Sequence, residues 1–383
     1  MSPFTPERTR RGVDPRRLLL AVAIVIGCAL GVVVNVHLAF GAGKGGMDLN
    51  QFYAASRLAG TGHLYDSGAL RALEEENGPS IHSGRLPIVS YGVKAISWMP
   101  FPLALLVWRT ASVAALLIVC AVWPGASRLG LLVALSWSTP AIYLISLGQD
   151  VAFWLLFFAL GVKLLDRGYA RLAGVAFALC LCKYHLAVGI PIMLIAQKRW
   201  KTLTTGGVVT LALLGTSFVI EGSSWPFGYV RTLSSPDFSP GIDLMPNLRG
   251  LASRSPHATM VELVAATGVV VLLWLACRRI SSVGVAGAAA ASCGLILGHH
   301  GYIQDCTILI PLAVLTIQSR QTALWLRALG LVLVTPALSL LLVMGAPLVG
   351  QTLLIGFVAL TLARASILAN PEGSEKASGL QEG

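Results

Sequence analysis

Twelve apolar runs, separated by short turn and charge signals, decide what this chain can fold into. They fall at about 18–40, 88–102, 104–123, 129–147, 151–166, 172–196, 203–221, 259–277, 283–298, 303–317, 323–343 and 351–369. Most reach or approach the ~17–25 residues that a helix needs to cross hydrocarbon. Lipid tolerates only helices and closed barrels, because every backbone polar group must be satisfied internally. The alternating segments of a barrel, about ten residues each, are absent. The expectation is therefore an all-α polytopic membrane protein with about twelve transmembrane helices, formed by residues 18–369. A basic stretch, 1–17, precedes it. A polar tail, 370–383, rich in Gly, Ser and Glu, follows and is expected to be disordered. Of 383 residues only 12% are charged, about half the ~25% of a soluble domain.

The formal charge of +11 does not point to nucleic acid, because the cations sit in clusters between apolar runs. Arg8, Arg10, Arg11, Arg16 and Arg17 form one cluster, Lys198, Arg199 and Lys201 a second, Arg278 and Arg279 a third. That is positive-inside patterning, which puts both termini of a twelve-crossing chain in the cytoplasm. The first run exceeds the ~7–15 residues of a signal-peptide core, so it reads as an uncleaved anchor in the plasma membrane. Twelve full crossings leave Arg167 and Arg171 outside and Gln149–Asp150 inside. Re-entrant half-spans at 88–102 and around Lys183 would remove both anomalies.

Two long connectors, 41–86 and 222–257, and the short segment His299–Asp305 then share the outer face, where loops carry function more often than the scaffold does. Within the first connector, Leu49, Phe52, Tyr53 and Ser56 recur at helical spacing. This predicts a short amphipathic helix lying in the interface, with a second short helix over 66–76. Asp48 opens the first. With Gln51 three residues on, it reads as a capping box; a carboxylate at that depth can also accept a proton. The two roles are compatible.

Lys183, in "ALCLCKYHLAVGIP", lies inside an apolar run, where a charge costs at least a few kcal/mol unless it faces a cavity or a partner. It reads as an ammonium that binds an anion such as phosphate, with snorkelling as the bland alternative. His185 reads as a core histidine. "GHHGYIQDCTILIP" offers His300, Tyr302 and Asp305 as one wall of a site or as a capped turn. Gln149 and Asp150 read as a helix cap or as site residues. Arg249 and Arg254 are solvated or pair with phosphate. Cys180 and Cys182, two apart, point to opposite sides of a helix and cannot share a metal. No acidic cluster offers oxygen ligands for Mg²⁺, and no phosphate-binding loop, dinucleotide fingerprint or HExxH is present. Neither a metal nor a cofactor is expected.

These segments, in order, resemble the GT87 (DUF2029) glycosyltransferases, membrane enzymes of GT-C fold that use polyprenyl-phosphate sugars and are typified by mannosyltransferases. The resemblance rests on "DLNQFYAASRLAGTGHLYD", "YGVKAISWMPFPLALLVW", "LGQDVAFWLLFFALGVKLLDRGYARLAG", "CKYHLAVGIP", "MPNLRGL" and "HHGYIQDCTILIPLAVL". Three positions depart from the family's usual pattern: Ser90-Tyr91-Gly92 in place of Tyr-Pro-Pro, Asp150 in place of Asn, and Tyr184 in place of Pro. The resemblance implies a GT-C membrane domain and transfer of a hexose, mannose first, to a lipid or glycan acceptor on the outer face. It makes Asp48 the general base, and Lys183, His300, Asp305, Tyr53 and Gln149 substrate- or phosphate-binding residues. Membrane lipids, the lipid-linked donor and the acceptor are the expected partners, nucleic acid is not, and a monomer is expected. A transporter or lipid flippase, or a non-catalytic protein of the same fold, also fits polytopic architecture alone.

Overall fold

The computed structural model describes residues 15–40, 47–78, 84–234, 241–343 and 346–368. Residues 1–14, the 370–383 tail, and Pro236 and Pro240 of the second connector lie outside them. The described chain is all-α. Its N-terminal part comprises α1 (Pro15–Phe40), α2 (Met47–Leu58), α3 (Ser67–Glu75), α4 (Pro87–Lys94), α5 (Phe101–Val122), α6 (Arg128–Trp137), α7 (Thr139–Leu147) and α8 (Val151–Asp166). The middle holds α9 (Ala170–Leu179), α10 (Gly189–Ala196), α11 (Trp200–Glu221), α12 (Trp225–Leu233), α13 (Leu248–Ala252) and α14 (Ala258–Arg279). The remainder is α15 (Val283–Leu297), α16 (Ile310–Gln318), α17 (Leu324–Leu333), α18 (Pro336–Val343) and α19 (Pro347–Leu368). Among the described residues three 3-10 segments, Cys180–Leu186, Ile242–Leu244 and Ile303–Leu309, interrupt the series.

The expectation of about twelve transmembrane helices is overturned. Among the described residues only four helices are long and apolar enough to cross a membrane: α5, α11, α14 and α19 up to Ala365. The number rises to six if the bent pairs α6–α7 and α17–α18 each count as one span. The error has a physical cause. An all-round apolar helix is buried, but hydropathy does not say whether lipid or protein buries it. The Gly- and Ala-rich α15 has 15 residues, almost all buried, and is about 22 Å long, short of the ~30 Å hydrocarbon thickness. It is a core helix.

Other apolar runs are broken by the chain itself. The run over 129–147 turns by 70° at Ser138. There the Ser138 hydroxyl caps α7, and Pro140 occupies its first turn. Fully buried Asn35 of α1 fills the corner. Its Nδ2 donates to Ser136 O at 3.4 Å, and its Oδ1 accepts from the Thr139 hydroxyl. The run over 172–196 breaks at Lys183, whose backbone (φ −138°, ψ 65°) leaves the helical region. The run over 88–102 yields only the eight-residue α4. Neither of the last two is a continuous crossing.

The stretch after Asp48 forms α2 as its spacing predicts, but its apolar stripe does not lie on the bilayer. Leu49, Phe52 and Tyr53 are buried, with α2 packed on α3, α4 and α5. Protein covers that face because α4 and the turn up to Met99 fold back beneath it. The second short helix, α3, starts where the sequence puts it, with Asp66 accepting from the Gly68 and Ala69 amides.

Close backbone approach holds the broken segment around Lys183 against α15. A Cβ on Gly294 would lie 1.9 Å from Leu186 O, and one on Gly189 would lie 2.0 Å from Ala290 O. Small residues at such crossings let helices pack by contact alone.

Candidate active site

Five separate helix ends and breaks bring polar and ionisable side chains to one place. Asp48 comes from the first turn of α2. Arg85 precedes α4. Gln149 and Asp150 follow α7, which Gly148 ends in a left-handed conformation (φ 73°). Lys183 comes from the 3-10 break, and Asp305 from the segment before α16. Gly148 does more than turn the chain. A Cβ there would stand 2.7 Å from the Cβ of Leu49, so its absence lets the start of α2, with Asp48, seat beside Gln149.

Lys183 is buried, and its ammonium donates to Asp305 Oδ1 at 2.5 Å and to Gln149 Oε1 at 3.4 Å. It lies 3.7 Å from Asp150 Oδ1. Asp305, 1% exposed, divides its carboxylate. Oδ1 faces Lys183, while Oδ2 accepts from the Tyr302 amide at 2.8 Å and so closes a capping box. The cap and site readings of Asp305 thus hold one oxygen each. Asp150 stands at the N-cap position of α8 but makes no side-chain cap bond. Its Oδ1 instead accepts from Arg85 at 3.1 Å, and its buried Oδ2 has no hydrogen-bond partner among the described residues. The guanidinium of Arg85 also reaches Gln149 Oε1 at 3.3 Å and lies 5.2 Å above the Phe52 ring.

Asp48 keeps a partly exposed edge. Gln51 donates to its Oδ1 at 3.3 Å. Burial pushes its carboxyl above the usual carboxylate range; the hydrogen bond from Gln149 and the charges of Lys183 and Arg85 oppose that rise, and Asp150 adds to it. Two cations thus face three acids, and the excess carboxylate is the one with an open edge.

His300 and Tyr302 stack edge to face with ring centroids 4.9 Å apart. Burial lowers His300 to about 4, with Lys183, Arg85 and Arg249 acting the same way and Asp305 against them. Burial raises Tyr302 to about 12, helped by Asp305 and Asp48. At neutral pH both are therefore uncharged, and each carries one proton to donate. His185 lies 6.3 Å behind His300 and is held neutral by burial and by Lys183, as a core histidine would be.

Of the residues expected from sequence, Asp48, Gln149, Lys183, His300 and Asp305 meet here. Tyr53 does not. Its hydroxyl donates to Met99 O at 2.7 Å, and its ring packs on Phe101. Arg254 bonds Gln351 and backbone carbonyls instead, while Arg249 reaches His299 O at 3.0 Å. Sequence reasoning overlooked Arg85. A charge count held the signal, since three acids beside apolar runs had only Lys183 to balance them. Among the described residues no group of three or more His, Cys, Asp or Glu is arranged to hold a metal ion.

An open carboxylate with a raised proton affinity, a nearby guanidinium and two neutral hydrogen-bond donors suit proton abstraction from a hydroxyl beside an anionic leaving group. The sequence pattern described as glycosyltransferase family 87 matches residues 87–300. Gln149, Asp150, Lys183 and His300 fall within the match; Asp48, Arg85 and Asp305 lie outside it. No curated protein and no solved structure matches the chain.

Proposed function

Because the chain belongs to glycosyltransferase family 87, we propose that the ionic cluster is its transfer site and Asp48 its general base. The donor is a polyprenyl-phosphate sugar, and the transferred unit is a hexose, mannose by the resemblance. The acceptor is a hydroxyl of a glycolipid or glycan on the outer face of the plasma membrane. The single observation that carries this reading is the position of Asp48. It is the one acid of the cluster with an open edge, held by Gln149 and Gln51 and facing Arg85 and Lys183.

In the reaction, the acceptor oxygen attacks the anomeric carbon while its proton passes to Asp48. The bond from that carbon to the phosphate oxygen breaks, and the lipid phosphate leaves with the electron pair. Attack from the face opposite the leaving group inverts the configuration. Arg85 stabilises the charge growing on the phosphate, and His300 and Tyr302 donate hydrogen bonds to it. Lys183 has a different part from the one its sequence context suggests. Two carboxylates already balance it, so it positions Gln149, Asp150 and Asp305 rather than binding phosphate itself.

The test is transfer of radiolabelled sugar from a synthetic polyprenyl-phosphate mannose to membrane acceptors, by the wild type and by Asp48→Asn. Loss of transfer in a variant that still inserts and folds supports the assignment. Undiminished transfer by Asp48→Asn removes it.

A further inference from the structure

A second concave site lies outside the ionic cluster. A cavity of about 640 Å³ opens between the α2–α3 connection and α12. Tyr65, Asp66, Glu221, Trp225, Phe227 and Arg231 line it. Its aromatic wall abuts the cluster: the Tyr65 hydroxyl donates to the backbone carbonyl of Arg85 at 2.8 Å. Tyr229 ties the wall together, with ring centroids 5.6 Å from Tyr65 and 6.3 Å from Trp225. The cavity meets α2 at its C-terminal end, because Glu221 Oε1 accepts from the Gly60 amide at 2.6 Å. Asp48 stands at the other end of the same helix, about 18 Å away along its axis.

The chemistry of the lining selects among ligands. Phe227 is 76% exposed, so it offers a ring face at the cavity mouth. Asp66 commits Oδ1 to the start of α3, which leaves Oδ2 for a ligand. Arg231 is exposed and makes no hydrogen bond or ion pair among the described residues. Two carboxylates beside one guanidinium disfavour a phosphate, which would meet more negative than positive charge. A neutral polyhydroxyl ligand accepts from the guanidinium, donates to Asp66 Oδ2 and lays its apolar face on an aromatic ring, the mixed lining that binding clefts use.

We infer that this cavity is a carbohydrate-binding subsite, holding sugar units of the acceptor glycan while its terminal hydroxyl lies at Asp48. The word "acceptor" rests on the transferase reading; glycan binding in the cavity does not.

The test uses the full-length protein in detergent micelles on an array of immobilised mannan, arabinan and galactan oligosaccharides, from disaccharides to hexasaccharides. Wild type and Asp48→Asn are both retained on one glycan class. Phe227→Ala and Arg231→Gln, at exposed positions where folding is not at stake, each weaken retention by about tenfold, a loss of ~1.4 kcal/mol. The inference is overturned if wild type is retained on no glycan, or if both variants bind as wild type does. It is also overturned if the variants change only the dependence of transfer on the lipid-linked donor. Retention by Asp48→Asn together with full transfer activity would instead sink the base assignment and leave the subsite standing.

Discussion

Lys183 and Asp305, 122 residues apart in the chain, meet at 2.5 Å with both side chains buried. Removing Asp305 leaves the buried Lys183 only Asp150, at 3.7 Å, as an ion-pair partner, and breaking a buried pair costs about 3–5 kcal/mol. Asp305→Ala should therefore lower the thermal unfolding midpoint in detergent far more than exposed Glu76→Ala, which breaks only the surface pair with Arg57. Equal midpoints for the two variants would show that the buried pair contributes no more than a solvated one.

Asp48→Asn keeps the shape of the side chain and removes its charge. General-base catalysis contributes about 10²–10⁴-fold, so transfer should fall by that factor. Because burial disfavours the ionised carboxylate, the neutral amide should leave the unfolding midpoint unchanged or raise it. A variant that loses activity and stability together would point to a structural role.

Activity should fall with acidification at a pH above the ordinary ~3.9 of an aspartate, because Asp48 is raised and must be ionised to act. Stability runs the other way for this group. A raised folded-state value means that the folded chain binds the proton more readily, so acidification through that window favours folding. His300 is already neutral down to about 4. His300→Asn should lower the rate without moving the acid limb; a limb displaced toward higher or lower pH would show that His300 is the titrating group.

Arg85 makes a forked contact to Asp150 and Gln149 while lying over Phe52. A lysine cannot reproduce that planar arrangement. Arg85→Lys should cost about 10²-fold in kcat, with Arg85→Gln lower still. Full rescue by lysine would mean that only the charge matters.

Gly148→Ala combines a left-handed backbone with a Cβ 2.7 Å from that of Leu49. Strain of about 1–2 kcal/mol and overpacking of about 1–3 kcal/mol act together, and Asp48 is displaced. Gly168→Ala is the control, with a similar φ of 83° and nothing within 4 Å. It should cost the strain alone and retain transfer. If both glycines respond alike, the approach of Leu49 does not position Asp48.

Local signals were legible where one residue decides them. The short helix from Asp66 and the helix that starts at Asp48 were read from residue type and spacing, and a break around Lys183 was the alternative to a full crossing. The helix count was not legible, because α15 and a true span present the same apolar composition. Arg85 was overlooked because its partners, Gln149 and Asp150, lie 64 and 65 residues away. Lys183 was read as an anion binder because the run around it contains no acid; its counter-charges come from two other segments.

The long separation of Lys183 from Asp305 also sets an order of events during biosynthesis. A ribosome adding about 5–20 residues per second needs roughly 6–24 seconds to travel the 122 residues between them. Through that interval the ammonium lacks Asp305, and Asp150, at 3.7 Å, is the acid within ion-pair distance of it. The cluster is therefore completed late, when the chain segment carrying Asp305 arrives.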